Sequence, residues 1–520
     1  MKAVFRVDAS LKIGSGHVMR CLALANTLKN NHFIVEFICR KLDGNLINRI
    51  CEEGFKVHEL QPGSDNNTDH KLEYSSWLGV SQKHDAEECI KVLNNESVDW
   101  IVVDSYALDK DWHSSLVPFC SRLMVIDDLA NRNYQCDILL DQTFGRDKTD
   151  YINRTPSNCQ SLVSSKYALL RPEFADFRLE SLARRKHSKL SHLLINMGGI
   201  DIANITERIL DHLKISDLKK ELNITIIMGE NSPHLYSVLN KAAELKQKTN
   251  VLVGVKNMAQ IMTSADIAVG ASGSTTWERC CLGLPSIQLV MSTNQEYLAQ
   301  ILHNNNIIKL VQEVTEVSCL LESAEEWMKD AGTLSAEICD GLGTNRVLNK
   351  MTNKIIRLKD FNEIELCNYT NLDQDDVCLA LEMRNHEEIR PWMYNQKNIS
   401  LPEHLSFIDT LGTKTKTRYF LVKQKGLVIG SINFSKIEYG KSVDFGIYVN
   451  PFLQLKGLGK VLEAAGCEYA FKELGAAMIN LEVLESNKKA IDFYTRRGYE
   501  FVNKTIINDQ NVIYMKKQKS

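Results

Sequence analysis

Apolar, β-branched runs alternate with helical patterns from the start of the chain. Ala3–Asp8, Phe33–Cys39, Trp100–Asp104, Leu123–Asp127 and Ile138–Leu140 are apolar at nearly every position. Such runs predict strands covered on both faces, as at the centre of a parallel sheet. The helical stretches between them suit βαβ crossovers. From Tyr151 to about Lys189 the pattern breaks into polar and basic sequence, and Arg184-Arg185-Lys186 predicts a solvated linker helix. A second series follows at His192–Met197, Ile224–Met228, Val251–Val253, Ile267–Val269, Ser286–Met291 and Ile307–Leu310. Two doubly wound halves joined by a linker predict a cleft between lobes, where ligands usually bind.

Past about Lys354 the grammar changes. A helical stretch near Asp373–His386 leads to strands at Tyr419–Lys423, Val428–Phe434 and Val443–Val449. A helix from about Leu458 to Leu474, a strand at Met478–Leu484, a helix at Lys488–Arg497 and two terminal strands complete it. This is an α+β unit of ordinary domain size. The expected organisation is a Rossmann-like lobe at 1–160, a linker at 161–189, a second such lobe at 190–353 and the α+β domain at 354–520. A chain of 520 residues is too long for one core, which agrees with several domains.

Composition removes some classes of function. A formal charge of −3 gives no global pull toward nucleic acid or anionic membrane. No apolar run reaches membrane-spanning length and no signal-type segment opens the chain, so a cytoplasmic protein is expected. The 14 cysteines form no C-x-x-C pair and no Cys/His cluster of zinc spacing. They read as small buried hydrophobes in a reducing compartment, with no metal expected. Oligomeric state is not legible.

The first chemical signal is Gly14-Ser15-Gly16-His17-Val18-Met19-Arg20, directly after the first strand. It reads as strand, glycine turn and helix. Glycines permit positive φ and close approach of a ligand to the backbone, and the free N–H groups of the helix start attract anions. The positive end of the helix disfavours imidazolium, which predicts a His17 ring able to accept a proton. The plainer reading makes His17 a helix-capping residue. Asp8 is a candidate to orient it, or a turn residue. Met197-Gly198-Gly199 closes the first strand of the second series in the same way. Gly270-Ala271-Ser272-Gly273-Ser274 opens a helix with small residues and hydroxyls, and Glu278 one turn in can accept from both hydroxyls of a ribose. Alternatively Ser274 or Thr275 caps that helix and Glu278 completes a capping box. Asn294-Gln295 offer amides at the same rim.

With these residues on the page, the first 350 or so resemble the UDP-sugar hydrolase family of pseudaminic acid biosynthesis, which is related to GT-B glycosyltransferases. The resemblance is carried by Arg6-Val7-Asp8 with Gly14-x-Gly16-His17-x-x-Arg20, and by Val125-Ile126-Asp127-Asp128-Leu129. It extends over Tyr167-x-Leu169-Leu170-Arg171-x-Glu173-Phe174, Gly270 to Glu278 and Asn294-Gln295. It implies a GT-B-like pair of Rossmann-type domains. The implied reaction is hydrolysis of UDP-2,4-diacetamido-2,4,6-trideoxy-β-L-altropyranose to UDP and free sugar. His17 is then the general base that activates water, with inversion expected because one base and one water give a single displacement. Asp8, Gly14, Gly16, Arg20, Gly198, Gly199, Ser272, Ser274, Glu278, Asn294 and Gln295 are the implied substrate-binding residues, and Tyr106, Asp127 and Asp128 candidates to line the sugar site.

In the α+β domain, Val443–Asn450 is followed by Gln454-Leu455-Lys456-Gly457-Leu458-Gly459-Lys460, a nest of backbone N–H groups suited to a pyrophosphate. Asn487 to Tyr494 follows the next strand. The pair resembles the acetyl-CoA-binding core of the GNAT N-acetyltransferases. The resemblance implies that Val449, Gln454, Gly457, Gly459, Lys460 and Asn487 hold acetyl-CoA and that Tyr494 protonates the departing thiolate. Tyr494 can otherwise be a packed aromatic. Glu482 is the candidate base for the attacking amine, or a structural carboxylate. Met383-Arg384-Asn385 and Ile389-Arg390-Pro391-Trp392-Met393 resemble the acceptor-binding segment of the same pathway's acetyltransferase, with Arg384 and Arg390 for phosphates and Trp392 for stacking. A UDP-linked amino sugar and acetyl-CoA are thus the expected partners. Three alternatives stay open: a glycosyltransferase using an acceptor other than water, an acetyltransferase of protein amines, and a non-catalytic sensor. The joint presence of His17 and Tyr494 speaks against the sensor.

Overall fold

The buried apolar runs become the inner strands of three sheets. The computed structural model describes residues 1–63, 72–94, 96–186, 189–216, 218–230, 232–359, 361–414 and 416–519. They fall into two units, Met1–Val347 and Leu348–Ser520.

The first unit holds two parallel sheets. Strands β1 (Lys2–Val7), β2 (Ile34–Arg40), β3 (Lys56–Leu60), β4 (Val98–Asp104), β5 (Cys120–Ile126), β6 (Ile138–Asp141) and β7 (Gln160–Val163) lie in the order β3-β2-β1-β4-β5-β6-β7. Strands β8 (His192–Asn196), β9 (Asn223–Met228), β10 (Lys248–Val253), β11 (Ile267–Ala271), β12 (Ser286–Leu289) and β13 (Lys309–Val311) lie in the order β10-β9-β8-β11-β12-β13. The winding reverses once in each sheet, between β1 and β4 and between β8 and β11. Crevices open at such points, outside the carboxyl ends of the strands. β3 and β7 escaped the pattern because they are edge strands, half exposed and without a continuous apolar run.

Among the helices, α1 (Gly16–Asn30) follows β1 and buries Val18, Cys21, Leu22, Leu24 and Leu28. Residues 161–189, expected to link the lobes, carry most of β7 and then α2 (Pro172–Arg185); residues 187 and 188 lie outside the described residues. The expectation of a solvated helix is corrected here. Its basic residues are spent on chain ends of the second lobe. Arg185 donates to Ala265 and Met262 carbonyls at 2.7 and 2.8 Å, Arg178 donates to Ala336 and Cys339 carbonyls at 2.7 and 2.9 Å, and Arg184 pairs with Asp266 at 2.6 Å. A guanidinium fork suits several carbonyls at once, so a basic run here marks docking.

A charge cluster locks β1 to its neighbours. Asp85 accepts from Arg6 Nη2 and Arg40 Nη2 at 2.6 Å each, and from Trp112 Nε1 at 2.9 Å. Burial pushes the Asp85 carboxyl up, but the two guanidiniums overcome this and bring it down to about 2.

The second unit is built on a mixed sheet. Strands β14 (Lys354–Leu358), β15 (Asn362–Asn368), β16 (Arg418–Gln424), β17 (Leu427–Glu438), β18 (Ser442–Val449), β19 (Met478–Leu484), β20 (Glu500–Ile507) and β21 (Gln510–Gln518) lie in the order β14-β15-β16-β17-β18-β19-β21-β20. Neighbours are antiparallel except β18 and β19, which pair in parallel only from Ser442↔Met478 to Asp444↔Asn480. Beyond Asp444 the two strands part, leaving a notch in the sheet. In the first lobe's partner, α3 (Thr275–Cys281) follows β11. In the second unit α4 (Gln374–Asn385), α5 (Leu458–Glu468) and α6 (Lys488–Arg496) flank the sheet, and α5 runs on into a π-turn at Tyr469–Glu473. Among the described residues no helix is long and apolar enough to cross a membrane.

Replacing Asp85 by Ala removes the carboxylate that two buried guanidiniums share, leaving Arg6 with Asp8 and Arg40 with Glu88, and is expected to destabilise the first unit by about 3 kcal/mol, read as a lowered Tm by circular dichroism. Because the folded carboxyl sits below its unfolded value near 4, its contribution is present above that pH and is expected to fade as pH falls toward about 2.

Candidate functional site

The last residue of β1, Val7, pairs with Asp104 at the end of β4. From Val7 the chain turns through Gly14, at φ +79°, and enters α1 at Gly16. That path sets His17 over the end of β4. His17 Nδ1 lies 2.6 Å from Asp104 Oδ1. A carboxylate only accepts, so Nδ1 carries the hydrogen and a neutral ring keeps its lone pair on Nε2. Within the described residues Nε2 makes no hydrogen bond, and it is not sealed from solvent although the residue is only 7% exposed. Burial works against ionised Asp104, but Arg20 and His17 hold its carboxyl well below the usual carboxylate range.

Around this pair stands a polar and aromatic wall. Arg20 donates from Nε and Nη2 to Asp104 at 2.6 and 2.7 Å, and from Nη1 to Asp128 at 2.9 Å. Tyr106 donates to the other oxygen of Asp128 and sets its ring edge-on to His17, centroids 4.6 Å apart. Burial first, and then Asp128, push the Tyr106 hydroxyl up and keep it protonated. Trp77 and Tyr74 continue the wall, and Tyr74 meets Thr293 of the second lobe at 3.3 Å.

The second lobe brings its own switch point. Gly198, at φ +99°, and Gly199 follow β8; Ser272 to Ser274 follow β11. A β-carbon on Gly16 would lie 3.4 Å from Ser274 Oγ, and one on Gly199 would lie 3.3 Å from Ser15 Oγ. The two glycine turns therefore face each other with little space for side chains between them. Ser274 makes no cap bond and no capping box forms with Glu278. Glu278 is half-buried, 3.7 Å from Arg171, and burial pushes its carboxyl up to about 7 against the pull of Arg171 and Arg279. Ser272 Oγ is buried without a partner among the described residues. Gln295 Oε1 accepts from Met291 N, which leaves its amide nitrogen toward Gly273; Asn294 Oδ1 accepts from Ser292.

Three expectations are corrected by this geometry. Asp8 does not orient His17 or reach a ligand: it pairs with Arg6 at 2.7 Å and accepts from Arg40 N at 2.6 Å, and it is 5% exposed. Arg20, expected to bind substrate, is not free for a ligand, because Asp104 and Asp128 occupy its donors and it is buried. Asp127 is spent on Tyr134 and Leu129 N and is buried away from the crevice. Asp104 was missed. Its only signal was an acid ending an apolar strand, and strand ends commonly carry acids.

In the second unit the notch beyond Asp444 is followed by an exposed loop containing Gln454 and by Gly457 at φ +90°, which starts α5. Gly459 lies beside Val449 and Phe493, so the ends of β18, α5 and α6 converge; Lys460 is exposed there. Asn487 caps α6, its Oδ1 accepting from Ala490 N at 3.1 Å. That oxygen is therefore spent on the helix, and the amide nitrogen alone is left for a ligand. Tyr494 packs between Phe493 and Tyr499, and burial pushes its hydroxyl up. Its oxygen has no partner among the described residues and is not sealed from solvent. Glu482 lies within β19, two residues past Asn480, the last to pair with β18, and is itself paired with Tyr514 of β21; it accepts from Tyr394 and faces Lys436 Nζ at 3.4 Å. Arg384 donates to the Asn395 carbonyl and Arg390 to Asn398, while Trp392 is 44% exposed beside them. Tyr394 was not singled out from sequence; it joins the Arg384–Trp392 segment to Glu482.

Comparisons with known proteins divide the chain in the same way. Residues 193–337 match the model of the Glycosyltransferase family 28 C-terminal domain, and residues 382–499 that of the Acetyltransferase (GNAT) family. An uncharacterized protein of Methanocaldococcus jannaschii is 24% identical over 97% of this chain and 98% of its own. The UDP-2,4-diacetamido-2,4,6-trideoxy-β-L-altropyranose hydrolase of Campylobacter jejuni is 27% identical over 58% of this chain and 95% of its own. Acetyltransferase PseH of the same species is 35% identical over 26% of this chain and 84% of its own. A pair of Rossmann-type lobes similar to that hydrolase thus precedes a domain similar to PseH, and through this domain the chain belongs to the GNAT acetyltransferases.

Proposed function

We propose that the chain carries out two consecutive steps on a UDP-linked amino sugar. The second unit transfers an acetyl group from acetyl-CoA to the 4-amino group of UDP-4-amino-4,6-dideoxy-N-acetyl-β-L-altrosamine. The first unit hydrolyses the product to UDP and the free diacetamido sugar. The observation that carries the reading is the His17–Asp104 pair over the two facing glycine turns, within a region similar to a named UDP-sugar hydrolase.

The hydrolytic step follows from the geometry. UDP is a good leaving group, so the burden falls on the nucleophile and on charge stabilisation. A water held at Nε2 gives its proton to His17 while its oxygen attacks the anomeric carbon, and the anomeric C–O bond breaks toward the diphosphate. Asp104 fixes the tautomer and steadies the imidazolium that forms. Backbone N–H groups of the turns at Gly16, Gly199 and Ser274 take the developing diphosphate charge. Glu278 accepts from the ribose hydroxyls, and Tyr106, Trp77 and Tyr74 wall the hexose. In the acetyl step, acetyl-CoA lies in the notch between β18 and β19, with its pyrophosphate on the N–H groups from Gln454 to Lys460. The neutral amine attacks the thioester carbonyl, the nitrogen then gives its surplus proton to Glu482, and as the C–S bond breaks the departing thiolate takes a proton from Tyr494. Burial supports that donor role, because it keeps the phenol protonated.

Incubating the purified chain with the UDP-4-amino sugar and acetyl-CoA, and following the products by NMR, tests the whole reading. The 4-acetamido UDP sugar is expected first, then UDP with inverted free sugar and no added acceptor. Release of UDP from the unacetylated sugar at the same rate would refute the order. His17→Ala is expected to lower kcat for UDP release by about 10³-fold or more, and Asp104→Asn by about 10²–10⁴-fold with KM little changed, in initial-rate assays. Tyr494→Phe is expected to slow acetyl transfer by about 10–100-fold while coenzyme A still binds, measured by thiol release and calorimetry. Burial pushes the Glu278 carboxyl up to about 7, and only the carboxylate can accept from both ribose hydroxyls with charge-assisted strength, so a UDP-hexosamine is expected to bind more weakly as pH falls through that value. Glu278→Gln should bind weakly with little pH dependence in the same titration.

A further inference from the structure

Arg20 is the most fully engaged side chain near His17, and the proposed hydrolytic step gives it no part. On α1 the two residues are three apart, so they share a face. The guanidinium grips both oxygens of Asp104, Nε to Oδ2 at 2.6 Å and Nη2 to Oδ1 at 2.7 Å, and Oδ1 is the atom that meets His17. Nη2 also stands 3.3 Å from His17 Nδ1. The imidazole thus has an anion and a cation at comparable distances, both buried, where opposite charges act strongly.

A lone carboxylate 2.6 Å from an imidazole orients it, but it also favours the imidazolium, which cannot accept another proton. A base for water needs the first effect without the second. The other groups facing the ring do not supply the cation. Cys21 donates its thiol to Asp104 Oδ2, Tyr106 is a phenol kept protonated, and Trp77 is neutral. Asp128 is an anion, and it is itself tied to Arg20 Nη1 at 2.9 Å and to Tyr106. Tyr74 packs on Trp77 and Tyr106 and meets Thr293. Resting on the hydrolase reading above, we propose that Arg20 is a positioning residue whose fork on Asp104 cancels that carboxylate's charge, so that Asp104 aims the His17 ring without drawing a second proton onto it. The arginine of the Gly-x-Gly-His-x-x-Arg signature thereby serves the base and not the phosphates. Lysine would supply the charge without the planar two-point grip.

Diethyl pyrocarbonate tests this in the full chain without any substrate, because it acylates only unprotonated imidazole. Modification of the His17 peptide is followed by mass spectrometry from about pH 5 to about pH 8, the range in which imidazoles titrate. Arg20→Gln is expected to shift the His17 profile to higher pH, slowing modification about fivefold or more near pH 6. Asp104→Asn is expected to shift it to lower pH. The double variant, which removes together the anion and the cation nearest the ring, should return to the wild-type profile; it also decides the matter if Arg20→Gln fails to fold. Arg20→Lys should keep the wild-type profile, while kcat for UDP release falls about tenfold and KM stays within about twofold, as loss of aim predicts. The proposal is overturned if Arg20→Gln leaves the profile unmoved, if the double variant matches Asp104→Asn alone, or if Arg20→Lys raises KM and spares kcat. Absence of UDP release by the wild-type chain would sink the hydrolase reading, whereas the modification profiles would still report on the charge balance.

Discussion

One carboxylate organises the first unit. Asp104 ends β4 beside the end of β1, at the point where the winding of the sheet reverses, and its oxygens hold His17 and Arg20 together. Nothing in the first turn of α1 alone would fix the imidazole, since the turn before it is glycine-rich and free to adopt many conformations. Ion pairs buried this deeply are expensive to form and more expensive to break. Their use here, and in the cluster of Arg6, Asp85 and Arg40 behind β1, ties the end of the first strand to the chain on both sides. The base stands on that fixed strand end.

The second lobe repeats the first lobe's device with different chemistry. Both sheets reverse at the strand that precedes a glycine turn, and the two turns meet across the crevice. One turn carries the imidazole. The other carries hydroxyls and, one helical turn on, a carboxylate whose partner is an arginine of the segment that joins the lobes. Small residues on both sides bring the backbones of the two lobes close together, and in the proposed reaction their N–H groups face the diphosphate. In the proposed reaction the first lobe acts on the hexose and the second holds the nucleotide, which puts the breaking bond at the seam.

The second unit solves a related problem with a different sheet. Its one parallel pair of strands stays in register for three residues and then separates. The separated ends, the loop with Gln454 and the start of α5 form one edge, and Tyr494 and Glu482 stand on different elements near it. Acetylation on nitrogen and hydrolysis at the anomeric carbon leave each other's bonds untouched, so the two steps need no shared residue. Joining them in one chain raises the concentration of the first product near the second site through tethering alone.

Periodicity was enough to place the inner strands, because a strand buried on both faces must be apolar throughout, and each such run stands in a sheet. The change from parallel to mixed topology near Lys354 was legible for the same reason. The glycine turns, His17 and the Gln454–Lys460 nest were legible as motifs, since their spacing is local. Edge strands β3, β7 and β14 were not, having an open edge and weaker patterns, nor was β15, which lies between β14 and β16 but alternates polar and apolar residues. Residue partners were also hidden. His17 and Asp104 are 87 positions apart and meet only because β1 and β4 are neighbours in the sheet. Arg20 stood among the substrate-binding residues until the fold brought Asp104 and Asp128 to its donors, and the basic run of α2 looked solvated until the carbonyls of the second lobe claimed it. The sequence by itself determined where the apolar inner strands of the parallel sheets and the glycine turns lie, because those depend on neighbours along the chain. Tertiary structure alone decided which charge faces which, because buried charges are paired across the sheet and not along it.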